Sequence, residues 1–213
     1  MTLEYVAAAL AADRSFSESA AHLSMLPGFR REPDAPCTSG PWRQAAVLVL
    51  LYPNQGTIHF PLMQRPAGKG VHAGQVSLPG GSREGGESLQ DCALRETMEE
   101  LGVMPGDVSI VRALGPLEVA PSRFLVNPFV GLSRRRPSFR PSPDEVACVF
   151  EPSLDELLDK SNRQSDRALY KGISYPVPFF RLSGQRVWGL TAMILAEIEA
   201  MLSLSISGSS TEH

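Results

Sequence analysis

Residues 81–103 read GSREGGESLQDCALRETMEELGV, a glycine-rich turn that runs straight into a short polar helix. Ser88 suits an N-cap, Asp91 three residues on can return a carboxylate to the first turn, and Gly102 supplies a left-handed stop, so the helix is expected from about Leu89 to Leu101. At about 100° per residue, Glu96, Glu99 and Glu100 share an arc of about 100°, and Leu94, Met98 and Leu101 lie opposite. One face is therefore expected to meet the core and the other a cation. Two carboxylates about 5 Å apart repel by about 3 kcal/mol at an effective dielectric of 20, and like charges at helical spacing weaken the helix as well. With only oxygen donors at hand, a hard divalent ion such as Mg²⁺ or Mn²⁺ fits better than zinc.

Three glutamates alone also fit a solvated helix face. The wider pattern is more specific: Gly81, five residues, Glu87, seven residues, Arg95–Glu96, two residues, Glu99–Glu100, one residue, Gly102. With each residue type at roughly 7% usage, a chance match to these seven positions anywhere along the chain is on the order of one in a million. This stretch resembles the signature box of the Nudix hydrolase family at every charged and glycine position. Thr97 stands where the box has an aliphatic residue, a change expected to alter packing rather than chemistry.

The resemblance implies a metal-dependent hydrolase of nucleoside diphosphate derivatives, with Glu96, Glu99 and Glu100 as metal ligands and Arg95 orienting a glutamate. Glu96 doubles as a catalytic residue. Arg95 also stands four residues before Glu99, the spacing of an ordinary helical ion pair. Glu87, just ahead of the helix, is read as structural support or as an acid that stabilises the helix dipole.

Upstream, RPAGKGVHAGQVSLPGG (residues 65–81) is too rich in glycine to predict regular structure and leads directly into the box. It resembles the additional motif of coenzyme A pyrophosphatases, a Nudix subgroup, at Leu62, Met63, Arg65, His72, Ala73, Gly74, Gln75, Val76, Pro79, Gly80 and Gly81. It departs at Pro66, where that motif has a small residue, and at Gly70, where it has an arginine. Lys69 next to Gly70 offers a point charge without the guanidinium fork. Arg65, Lys69 and His72 are the candidate substrate-binding residues. A triphosphate cradle at Gly68–Lys69–Gly70 is excluded because GxxxxGK[ST] is not satisfied. Further on, Glu145–Val146 resembles a Glu-Val pair of the subgroup in a region where many Nudix proteins draw a further acid, so Glu145 is a candidate catalytic base or ligand; an acid there also suits a turn cap.

The flanking chain is read as follows. QAAVLVLLY (44–52) has the pattern of a buried strand, with residues 57–64 as its hairpin partner. Strands are expected at 108–115, 124–132, 146–150, 175–180 and 186–188, a loop at 116–123, and helices at 153–159 and 190–204. The resemblance covers about residues 41–204 and implies an α/β fold, a Nudix-type α/β/α sandwich with a mixed central sheet. Residues 1–40 read as short helices and a proline-rich connector, and 205–213 as a flexible tail.

The chain of 213 residues, 43% hydrophobic and 20% charged, suits one domain with a sizeable core. A net charge of −3 gives no electrostatic reason to expect nucleic acid or an anionic membrane as partner. No apolar run near the roughly 20 residues of a membrane span is read, and the N-terminal stretch, with Glu4 and no early lysine or arginine, does not read as a signal peptide. Cys37, Cys92 and Cys148 are odd in number and widely spaced, so no disulfide framework or metal knuckle is read, and a cytoplasmic location is expected. The expected partner is a small nucleotide: coenzyme A or acyl-CoA first, and ADP-ribose or a dinucleotide as the alternative. A module that binds a nucleotide without cleaving it is the third reading. A homodimer is expected on family grounds and from the apolar N-terminal segment.

Overall fold

The computed structural model describes residues 1–12, 18–31, 41–68 and 74–209. Lys69, Gly70, His72 and Cys37 lie outside the described residues. The elements in order are α1 (Leu3–Ala11), α2 (Glu18–Ser24), β1 (Arg43–Asn54), β2 (Thr57–His59), β3 (Leu62–Gln64), β4 (Val76–Ser77), β5 (Gly80–Ser82) and α3 (Leu89–Leu101). They continue with β6 (Ser109–Ala113), β7 (Leu117–Val119), β8 (Phe124–Leu132), β9 (Cys148–Phe150), α4 (Leu154–Leu158), β10 (Arg163–Tyr170), β11 (Ile173–Leu182), β12 (Gln185–Trp188) and α5 (Gly189–Ser209).

β1 is the axis of the fold. It runs parallel to β8 and antiparallel to β5 and β2, while β6 and β7 pair antiparallel with β8, which makes the expected mixed sheet. Ala46, Leu48, Leu50 and Tyr52 pack with Cys92, Ala93 and Leu101 of α3. Val49 and Leu51 belong to the other core, with Val6 and Leu10 of α1 and Ile194, Leu195, Ile198 and Leu202 of α5. Both faces are covered, so the strand reads as a continuous apolar run without alternation. Each fully buried leucine or valine stabilises the fold by about 1.5–3 kcal/mol.

Two further three-stranded sheets flank this one, β4–β3–β9 and β10–β11–β12. The expected single hairpin partner at 57–64 is in fact two strands in different sheets. Phe60 N–H donates to Pro152 O, and Pro61 has no N–H to continue the ladder, so the chain leaves β1 there. The glycine-rich upstream segment is also more regular than expected, since it contains β4 and β5. Likewise, the expected loop at 116–123 contains β7.

α5 corrects the reading that no run could span a membrane: residues 189–206 have a mean hydropathy of 1.6, long and apolar enough by length and composition alone. Here it is the main core helix. Its two buried acids have partners, Glu197 with His22 (2.7 Å) and Gly115 N–H (3.1 Å), and Glu199 with Arg163 (2.9 Å). The helix continues to Ser209, into the stretch read as a tail.

Candidate active site

α3 has the bounds its caps imply. Ser88 Oγ accepts from Asp91 N–H, and Gly102, at φ 72°, closes the helix with its N–H on Met98 O. The face that packs differs from the expected one. Met98 is exposed and Leu94 half-buried, while Cys92, Ala93, Thr97, Glu100 and Leu101 are buried. Small residues let the helix lie close on β1 and β5, which turns the carboxylate face partly inward. Thr97 is accommodated because its hydroxyl donates to Ala93 O at 2.7 Å.

Gly80 and Gly81 make this approach possible. A Cβ on Gly80, whose φ is 146°, would lie 2.3 Å from Ala46 O, and one on Gly81 would lie 2.5 Å from the Glu96 carboxylate.

Arg95 organises the outer part of the site. It grips Glu87 at two points, Nε to Oε2 at 3.1 Å and Nη2 to Oε1 at 3.0 Å, and reaches Glu99 at 2.8 Å and Glu96 at 3.1 Å. Its Nη2 also donates to Ser82 O at 3.1 Å. Glu87 is therefore a full member of the network, not only a residue ahead of the helix. The Arg95 hydrogen bonds, with help from Glu84 N–H, hold its carboxyl down at about 2.

Glu100 forms the inner part. Its side chain is 2% exposed, its Oε2 accepts Gly80 N–H at 2.8 Å, and its Oε1 lies 3.9 Å from Arg65 Nη2. Burial pushes its carboxyl up to about 8, against the pull of Gly80 and Arg65, and Glu96 and Glu145 add to the rise. Burial also raises Glu96, which Arg95 partly offsets and Glu99 and Glu145 reinforce.

Glu145 arrives by way of the helix C-terminus. Arg140 N–H and Ser142 N–H bond the otherwise unpaired carbonyls of Leu101 and Glu100, at 2.8 and 2.9 Å. Val146, buried beside α3, then pins the turn that carries Glu145. Arg65 follows β3, whose Met63 also packs toward α3. The structure thus brings Arg65, Glu87, Arg95, Glu96, Glu99, Glu100 and Glu145 together. Sequence reasoning missed the backbone partners, Gly80 N–H and Ser82 O; the Pro79–Gly80–Gly81 run was the signal for the first.

The expected ligands Glu96, Glu99 and Glu100 are not drawn together, and among the described residues no three acidic, histidine or cysteine side chains converge as a ready metal site. Glu99 is held outward by Arg95, and Glu100 is tied to Gly80. The donor set nonetheless fits a hard divalent ion: oxygen ligands only, with two carboxyls raised by burial and mutual repulsion that such an ion would relieve.

The sequence matches the NUDIX domain family over residues 42–172. It is 37% identical over 172 residues to the uncharacterized Nudix hydrolase NudL of Pectobacterium atrosepticum, covering 76% of this chain and 83% of that protein. It is 34% identical over 192 residues to Nudix hydrolase 15, mitochondrial, of Arabidopsis thaliana, covering 84% and 66%. Among solved structures, the fold is similar to a MutT protein from Methanosarcina mazei Go1 (TM-score 0.52, 17% identity, covering 78% of this chain and 97% of that one). It is also similar to a C. elegans Ap4A hydrolase (TM-score 0.50, 18% identity, covering 78% and 98%). With the family's domain spanning α3 and both sheets that face it, the chain belongs to the Nudix hydrolases, enzymes that act on phosphoric anhydrides.

Proposed function

We propose that this Nudix hydrolase cleaves the diphosphate of coenzyme A or acyl-CoA, giving 3′,5′-ADP and 4′-phosphopantetheine or its acyl form. One observation carries the reading. Arg65, from the segment that resembles the coenzyme A motif, reaches the same buried carboxylate as the catalytic box. Glu96, Glu99 and Glu100 would hold Mg²⁺ or Mn²⁺, which when bound neutralises charge on the diphosphate and acidifies water. Arg95 fixes Glu96, Glu99 and Glu87 in one array. Arg65 would offer a cation to a substrate phosphate, and Glu145 would accept a proton from an attacking water.

The test is to incubate the purified protein with coenzyme A and Mg²⁺ and identify products by mass. Both products are expected, and a wild type that leaves coenzyme A intact removes this substrate. A second reading keeps the chemistry with ADP-ribose or a dinucleotide as substrate. Pro66 and Gly70 favour it, because the motif's second guanidinium is absent from the sequence. Nucleotide binding without product would favour a non-cleaving module. A homodimer is also proposed, with apolar groups such as Tyr5 (37% exposed) and Leu23 (52%) on the N-terminal helices as its contact; a monomer by light scattering removes it.

A further inference from the structure

The sheet β4–β3–β9 turns one face toward α3. Met63 and Val149, paired across β3 and β9, pack into the core beneath that helix. Ser77 on β4 is paired directly with Met63, so the pleat puts its side chain on the same face. Arg65 stands two residues after Met63, again on this face and diagonal to Ser77, and its N–H bonds Gln75 O. Glu145 lies on the chain entering β9. The wall opposite the carboxylates of α3 therefore presents Ser77, Arg65 and Glu145, and Gly80, the donor to Glu100, follows Ser77 by three residues.

Ser77 Oγ is buried, and among the described residues it has no hydrogen-bond partner. A hydroxyl left in that state is costly, and a group brought from outside the fold can supply the missing partner. Its neighbour Arg65 makes an anionic oxygen the fitting one, because a hydroxyl donates readily to phosphate beside a guanidinium.

We infer that Ser77 is a substrate-contacting residue that donates its hydroxyl hydrogen to a non-bridging oxygen of the diphosphate, next to Arg65. This rests on the diphosphatase reading and adds a residue to it.

Three proteins are compared at saturating Mg²⁺: wild type, Ser77→Ala and Ser77→Thr. Each is assayed with coenzyme A and ADP-ribose, and with inorganic pyrophosphate as a competitive inhibitor. Losing one hydrogen bond to a charged group is expected to raise KM about 10-fold in Ser77→Ala and weaken pyrophosphate inhibition by the same factor. The value of kcat should stay within about twofold, Tm should be unchanged or higher because an unpaired hydroxyl is gone, and Ser77→Thr should recover most of the affinity. Unchanged KM and inhibition in Ser77→Ala, with an active wild type, would overturn the Ser77 contact and leave the diphosphatase reading standing. A KM rise accompanied by a drop in Tm of several degrees and no rescue by threonine would assign Ser77 a structural role instead. A wild type that cleaves no nucleoside diphosphate derivative ends the reading and the contact together.

Discussion

Glu100→Gln replaces a carboxyl that the fold holds almost entirely out of water. In the unfolded chain this carboxyl loses its proton near 4.5; in the folded protein it does so at about 8. Between those values the native state binds a proton that the unfolded state has released, so stability falls as pH rises from about 5 to about 8. At 1.36 kcal/mol per pH unit the full loss is about 5 kcal/mol, an upper bound because half-exposed Arg65 and exposed Glu145 let water screen the group. Glutamine keeps an acceptor for Gly80 N–H and carries no charge, so this part of the pH dependence should vanish. Urea unfolding in EDTA at pH 5 and pH 8.5 measures it. Wild type should lose at least about 2 kcal/mol more than Glu100→Gln between the two conditions. At pH 8.5, millimolar Mg²⁺ should restore stability to wild type and not to the variant, and the variant should lose hydrolysis by orders of magnitude. Parallel pH dependence of the two proteins would refute the claim that burial of this carboxylate strains the metal-free site.

Gly81→Ala places a methyl 2.5 Å from the Glu96 carboxylate, so a folded protein with hydrolysis reduced at least about 10-fold is expected by steady-state assay. Arg95→Lys cannot grip Glu87 at two points while also reaching Glu99; kcat should fall by about 10–100-fold with the circular dichroism spectrum unchanged. His22→Ala strips the fully buried Glu197 of its imidazole and should cost about 3 kcal/mol in urea unfolding; a loss below about 1 kcal/mol would mean that Gly115 N–H suffices.

α3 was legible because its determinants are local: Ser88, Gly102 and the charged positions act within one or two turns of their own backbone. Its packed face was not, because close contact through Ala93, Cys92 and the β5 glycines outweighs the pull of larger apolar side chains such as Met98. β1 declared itself by being apolar on both faces. The break between β2 and β3 was hidden, since it depends on Phe60 finding Pro152 far along the chain. β10 went unread because it is polar and largely exposed, and only its ladder with β11 makes it a strand. Glu87, Arg95, Glu96, Glu99 and Glu100 could be grouped from spacing alone. Meeting Arg65 and Glu145 requires a second sheet and a capping segment that no short-range pattern encodes.

The bonds from Ser142 and Arg140 to the last carbonyls of α3 tie two acids to a single event. Were the final helical turn to fray, Glu100 would lose its seat beneath Gly80 and the strap bearing Glu145 would come adrift in the same step. On this coupling, amide exchange at residues 98–102 and 140–146 is expected to report one shared opening rate, and two separate rates would refute it.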